Sequence, residues 1–467
     1  MKFDEESSSN FEPSVQELAR FVAATTGDHI PSATRRRASF VISDTIGVML
    51  RGSVTDLAHR LIDGSQNTGP ATVISPLFQR VDIEEATLLN AVSACSTELD
   101  EGTRPTGHPA MHILPPVLAT TQANDASGRR FLTAFILGYE VQARIQRAAR
   151  LRPPIHCHGN YGHVGVAAAL AWLRGADAIA TAAAMNAAAA FASATSYSLP
   201  YSGATIHSAA PAMSGLTALT VDRLMAVGFS AFDRSVTEVF GSILGERFEE
   251  GPLTENLGAS WAVNDGYVKF HSTCGHLHPV VDALIDAVRE DTSPERARWE
   301  LGARIDPRTV ARVSVRVSER AAELDALPEL LTPLAARFSI PFSVATTLVH
   351  GAASAAAFEG AALTDPDIRQ LAERVTIQSD SKYDAVFPDV HRARVELEFT
   401  SGRVLTGSCE NPYGNPKNRA LDEDIGAKFI ALVSEAAPEL DAIALWATTL
   451  ACDDRISMRG FPLLEDG

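Results

Sequence analysis

Between Val268 and Pro279 the chain reads VKFHSTCGHLHP, which crowds a lysine, three histidines and a cysteine into one short segment. Three further clusters share its character. ELDEGTRPTGHPAMH carries Glu98, Asp100 and Glu101 ahead of His108 and His112; HCHGNYGH carries His156, His158 and His163; GATIHSAAP carries His207. Histidines titrate near neutrality, so a pair can act as base and acid on one small substrate. Lys269, together with a helix N-terminus at His278, can hold a carboxylate and neutralise charge that builds beside it. Gly159 and Gly162 would let a ligand approach the backbone.

The spacing also excludes chemistries. His156 with His158, His276 with His278, and Cys274 are zinc ligands by type, but no CxxC or HExxH spacing accompanies them and no metal is expected. There is no GxSxG elbow, no GxGxxG following a strand and no Walker A sequence, so neither a Ser-His-Asp hydrolase nor a nucleotide cofactor is supported. Cys274 reads as a small buried residue. A net charge of −17 over 467 residues opposes a nucleic-acid or anionic-membrane partner. The basic run Arg35, Arg36, Arg37 reads as a solvated helix face. Five dispersed cysteines and an acidic, serine-rich N-terminus predict a reduced, cytoplasmic protein. The apolar tract from Val164 to Thr195 is alanine-rich and broken by Arg174 and Asp177, which predicts buried helices and no membrane span.

These clusters need elements to position them. Ser14 and Glu17 suggest a capping box ahead of a first helix. A second helix follows Ile30 and Pro31 through Phe40 and Ile46, and Leu132, Phe135, Ile136 and Tyr139 mark another. His108 and His278 each precede a proline at an expected helix start; Val281, Leu284, Ile285 and Val288 continue the second of these at helical spacing. After Lys269 the texture changes. Val313–Val317 and Val395–Phe399 alternate with period two, and Ser401-Gly402 offers a hairpin turn into Val404–Gly407. Helical segments are expected over Ser339–Phe358 and Asp367–Arg374. The expected architecture is mainly α. A large all-helical domain (residues 1–266) is completed by the C-terminal tail (410–467), with a smaller α+β domain (267–409) inserted between, and a cleft between the two would house the site.

Six segments, in order, resemble the MmgE/PrpD family, whose members include 2-methylcitrate dehydratase, cis-aconitate decarboxylase and iminodisuccinate epimerase. They are HIPSATRRRASFVISDTIGVMLRG, ELDEGTRPTGHPAMHILPPVLA, HCHGNYGHVGVAAALAWLRG, VKFHSTCGHLHPVVDAL, ARFSIPFSVA and ENPYGNPKNRALDEDIGAKF. The fourth is similar to the family's K-x-[YF]-x-x-C-x-x-x-HP, with His271 where an aromatic is usual. The resemblance implies a helical main domain, a lid domain, a homodimer and no cofactor.

Carried over residue by residue, it implies a catalytic set of Asp100, His108, His156, Lys269 and His278. On that assignment His108 and His156 form the acid/base pair, and Asp100 orients His108 and raises its basicity; a helix-capping role for Asp100 is the plain alternative. Where several members carry a lysine, this chain has Ala204, so either Arg104, His112 or His158 would grip a substrate carboxylate or the substrate lacks that carboxylate, with His207 keeping its family position. For His112, His158, His207 and His276 a purely structural role stays open. The expected activity is a lyase on a small di- or tricarboxylic acid, a hydro-lyase first. Decarboxylation, epimerisation, or a non-catalytic binding or assembly subunit are the alternatives.

Overall fold

The computed structural model describes residues 11–104, 107–289, 297–326, 332–387 and 389–463. The protein is mainly α. The first helix, Pro13–Ala24, buries Val15, Leu18, Ala19 and Val22 at helical spacing. Its start differs from expectation: Pro13 occupies the first turn, and the Ser14 hydroxyl donates to Glu250 Oε2 at 2.6 Å instead of capping its own helix. The helix Ser32–Ser53 is buried without a break from Ala38 onward, because it runs between the helices Ile83–Cys95 and Asp422–Ala436. Helices Gly128–Ala148 and Tyr161–Leu173 also pack on one another. A Cβ on Gly165 would lie 2.6 Å from the Gly138 carbonyl, so two glycines set how closely those backbones approach.

One apolar core joins these helices and includes Phe429, Val433, Met458 and Phe461 from the tail. A second core lies around a four-stranded sheet ordered Val375–Ser379, Val310–Val317, Ala393–Phe399, Val404–Cys409. The first pairing is parallel and the other two are antiparallel. Helix His278–Val288 covers the last two strands. It comes so near that a Cβ on Gly407 would meet the Ala283 carbonyl at 2.1 Å. The alternation over Val313, Val315 and Val317 is the expected inward face, and Gly402 turns the hairpin with a φ of 85°. The strand Val375–Ser379 was not expected; it pairs on one side only and offers no buried alternation.

Polar side chains join the two cores. Arg337 donates to Ser272 Oγ at 3.0 Å and to Glu359 Oε1 at 2.7 Å, while Arg51 reaches Glu359 Oε2 at 2.6 Å. The Ser272 hydroxyl donates in turn to the Thr97 carbonyl at 2.5 Å. From the tail, Lys428 Nζ bridges Asp44 Oδ1 at 2.7 Å and the Leu99 carbonyl at 3.1 Å. Both contacts fix the 97–101 turn, which carries Glu98 and Asp100. No helix among the described residues is long and apolar enough to cross a membrane.

Candidate active site

A cavity is walled by Glu98, Gly102, Thr103, Arg104, Gly107 and His108, by the 156–158 segment, Tyr197, the 267–276 segment, Phe338 and His391. Three of the four histidine-bearing segments therefore reach one place, and the fourth, with His207, lies directly behind it. Lys269 Nζ sits between two carboxylates, 3.0 Å from Asp100 Oδ1 and 3.4 Å from Glu98 Oε2. The ammonium is wholly buried, and the two acids hold it charged against the pull of burial. Burial alone would push the Asp100 carboxyl up; Lys269 and His108 override it and keep the group well below the usual carboxylate range. Glu98 is raised, because burial outweighs the lysine and Asp100 adds its own charge. Glu98 also adopts a left-handed backbone with φ 53°, a strain that a non-glycine residue sustains only where its surroundings impose it.

His108 caps the helix Pro109–Ala123. Its Nδ1 lies 2.5 Å from Asp100 Oδ2 and donates to the Glu101 carbonyl at 2.9 Å, so the proton sits on Nδ1 and Nε2 is left for a substrate. Glu101 itself is structural. Its carboxyl accepts from the Ala110 N–H at 3.1 Å and from the Tyr139 hydroxyl, and burial pushes it up to about 7.

His156 Nδ1 accepts the backbone N–H of His158 at 3.1 Å, which places the proton on Nε2. Burial first, then the neighbouring imidazoles, hold this ring neutral. His156 can therefore donate a hydrogen bond but carries no spare proton, a narrower part than an acid/base role. His158 lines the same wall, its ring edge-on to His108 and His156 at centroid distances of 4.8 and 4.3 Å. His207 stacks on His158 at 4.8 Å, outside the cavity lining.

Two expected site residues stand further back. His112 Nδ1 donates to the His108 carbonyl at 2.6 Å, and its Nε2 accepts from the Gly159 N–H at 3.4 Å. It ties the His108 turn to the glycine-rich segment and does not line the cavity. His278 is fully buried beneath Tyr267, with both ring nitrogens engaged. Neither its imidazole nor its helix N-terminus borders the cavity.

Arg104 does face the site. Its Nη1 contacts His391 Nε2 at 2.9 Å, its guanidinium lies 5.2 Å from the centre of the Tyr267 ring, and its buried Nη2 has no hydrogen-bond partner among the described residues. Lys269, by contrast, is matched by Asp100 and Glu98. Glu98, Tyr267, Tyr197 and His276 are cavity residues outside the expected set. The nearest signal is proximity in sequence: Glu98 stands two residues before Asp100, and Tyr267 two before Lys269. Cys274 is buried as expected, yet it lines the cavity, its thiol pushed up to about 12 by burial.

Known proteins are similar to this chain along most of its length. The chain is 23% identical over 431 residues to a cis-aconitate decarboxylase of Mus musculus, covering 87% of this chain and 84% of that one. It is 24% identical over 478 residues to a cis-aconitate decarboxylase of Aspergillus terreus, covering 96% and 94%. Residues 16–239 match the MmgE/PrpD N-terminal domain and residues 271–451 the MmgE/PrpD C-terminal domain. With both halves matched in order around one cavity, the chain belongs to the MmgE/PrpD family.

Proposed function

We propose that the protein is a lyase that decarboxylates a small unsaturated di- or tricarboxylic acid, with His108 as the proton-transfer group. The observation that carries this reading is the His108–Asp100 contact of 2.5 Å beside an Arg104 Nη2 that has no hydrogen-bond partner among the described residues. One substrate carboxylate would sit on Arg104. A second, on the reacting carbon, leaves as carbon dioxide, and its bonding pair returns to the carbon skeleton. His108, protonated and balanced by Asp100, delivers a proton from Nε2 to that skeleton and recovers one from water. His156 donates a hydrogen bond through Nε2, and Lys269 supplies the fixed positive field that keeps Asp100 ionised. The relatives named above support decarboxylation over other outcomes of the same chemistry.

Dehydration is the second reading, of 2-methylcitrate-dehydratase type. It is favoured by Glu98, whose raised carboxyl lines the same cavity and could protonate a leaving hydroxyl while neutral His108 removes the adjacent proton. The region over residues 267–409 would act as a lid above the 1–266 and 410–467 body. Free thiols at Cys95, Cys157, Cys274, Cys409 and Cys452 suit a reducing cytoplasm. Phe191, Ile206, Val227, Phe229 and Phe232 leave large apolar surface exposed, which supports a homodimer.

Proton NMR in D2O with a panel of unsaturated, hydroxy- and amino-polycarboxylates tests the reading. A product one carboxylate shorter, carrying one deuterium, is expected, and His108→Ala should abolish it. Loss of water would install the second reading. Deuterium entering an unchanged skeleton would mean epimerisation, and silence across the panel would leave a binding or assembly subunit.

A further inference from the structure

The charges that line the cavity limit what can enter it. Its permanent cations are Arg104 and Lys269. Lys269 is held by Asp100 and Glu98, so Arg104 is the lining cation that no carboxylate matches among the described residues. His108 becomes a second when it is protonated against Asp100. The other imidazoles of the lining add no charge. Burial holds His156 and His158 well below the ordinary histidine value and His276 down to about 3. His391 Nε2 accepts from Arg104 Nη1 at 2.9 Å, the part of a neutral ring. Two anionic groups of a substrate can therefore be balanced, one on Arg104 and one beside His108.

A third would meet a different surface. Phe338, Tyr197, Cys157 and Cys274 also line the cavity. The Cys274 N–H donates to the Arg337 carbonyl at 3.0 Å, which brings the Cys274 and Phe338 backbones side by side. Burial pushes the thiols of Cys157 and Cys274 up to about 12, so both stay neutral. The Tyr197 ring packs on His156 at a centre distance of 4.3 Å, and Tyr201 stands 5.9 Å from both Tyr197 and Phe338. Packed rings thus back this wall, and the branch it accepts is short. Two arginines belong to the same neighbourhood but do not border the cavity. Arg320 lies 4.5 Å from the centre of the Tyr197 ring and pairs with Glu323, and Arg337 pairs with Glu359 at 2.7 Å. A carboxylate set against the wall would lose its water without gaining a cation. A methyl or ethyl group in the same place gains by leaving water.

We propose that the substrate is a dicarboxylic acid whose remaining substituent is short and apolar, with Phe338, Tyr197 and Cys274 as the residues that reject a third carboxylate. The inference narrows the lyase reading above and rests on it for which carboxylate reacts. Arg104 holds one carboxylate, the reacting one lies by His108, and the branch faces the apolar wall. Selection here works against the wrong substrate as much as for the right one.

Four saturated acids that differ in one substituent test the assignment: succinate, 2-methylsuccinate, 2-ethylsuccinate and propane-1,2,3-tricarboxylate, whose branch ends in a third carboxylate. None has a double bond or a leaving hydroxyl, so calorimetric titration of the full chain at slightly alkaline pH reads binding apart from turnover. 2-Ethylsuccinate should bind about fourfold or more tighter than succinate. The tricarboxylate should bind at least about tenfold more weakly than 2-ethylsuccinate. Phe338→Lys, with an unchanged circular dichroism spectrum, should reverse that order; if this variant fails to fold, the series on the parent chain still decides. A tricarboxylate that binds as tightly as 2-ethylsuccinate would overturn the proposal, as would failure of all four acids to bind at millimolar concentration. Decarboxylation is judged separately by proton NMR with the unsaturated counterpart, 2-ethylmaleate. If that acid binds and stays unchanged while the saturated series keeps its order, the lyase reading falls and the binding assignment stands.

Discussion

The Tyr267 hydroxyl donates to His278 Nδ1 at 2.7 Å, and the other ring nitrogen of His278 faces the Thr273 carbonyl at 3.3 Å. The histidine is thereby a support for the tyrosine, and the tyrosine is the member of the pair that meets the cavity. His278→Phe and Tyr267→Phe should each lower kcat about tenfold, and the double variant should be no slower than the slower single one. Steady-state kinetics of the three variants check this. Additive losses would mean that His278 reaches the substrate itself.

Lys269 is wholly buried and bears on the fold as well as on the site. Its removal leaves Asp100 and Glu98 facing one another in a buried site with no ammonium between them. Lys269→Ala should cost about 3–5 kcal/mol of stability as well as turnover. Chemical denaturation checks the loss, and a second change, Glu98→Gln, should recover part of it by removing one carboxylate. A Lys269→Ala protein as stable as the parent would show that water reaches these acids.

Arg104 borders the cavity, keeps a buried Nη2 without a hydrogen-bond partner among the described residues and rests on the face of Tyr267. Arg104→Gln should raise KM about tenfold to a hundredfold with a smaller change in kcat, the pattern of lost uniform binding. Arg104→Lys should recover little, because a point charge replaces a planar fork. Parallel titrations with a dicarboxylate and its monoester would show whether one carboxylate is read at this position.

Acid should destabilise the protein in a defined window. Burial holds His112, His163 and His207 down to about 4 and His276 to about 3, so all four are neutral in the folded chain near neutral pH. In the unfolded chain they protonate near about 6.5. Unfolding therefore takes up protons between these values, and stability is complete above the unfolded value and lost as pH falls below it, at up to about 1.4 kcal/mol per pH unit for each histidine. Asp100 acts lower: its contribution is present above the ordinary carboxylate range and lost as pH falls through its depressed folded value. Scanning calorimetry should find Tm level above about pH 7 and falling steeply towards about pH 4. A level Tm down to pH 5 would mean that these rings are charged in the folded chain.

The helix His278–Val288 and the strand faces at Val313–Val317 and Val395–Leu397 were legible because each buries one side, and burial writes a period into the sequence. Asp100, His108, His156 and Lys269 were legible as a candidate group through the resemblance to the MmgE/PrpD family, and the structure brings them together at one cavity. The division of labour among the histidines was not. Nothing in HCHGNYGH tells that the His158 N–H fixes the tautomer of His156, or that His112 is spent on two backbone groups. Those roles depend on hydrogen-bond partners that only the fold brings together. Arg104 was named from the sequence as one of several candidate carboxylate ligands, and only the fold distinguishes it, by a buried Nη2 without a partner among the described residues.

Lys428, in the helix Asp422–Ala436, reaches back to Asp44 and to the carbonyl of Leu99. The turn bearing Glu98 and Asp100 thus waits on a cation encoded 329 residues after Leu99. A chain that stops before this helix lacks that anchor, and it also lacks Phe429 and Val433 of the largest core. The geometry of the 97–101 turn is therefore a property of the finished fold and cannot be set while the helix Asp422–Ala436 is still unmade.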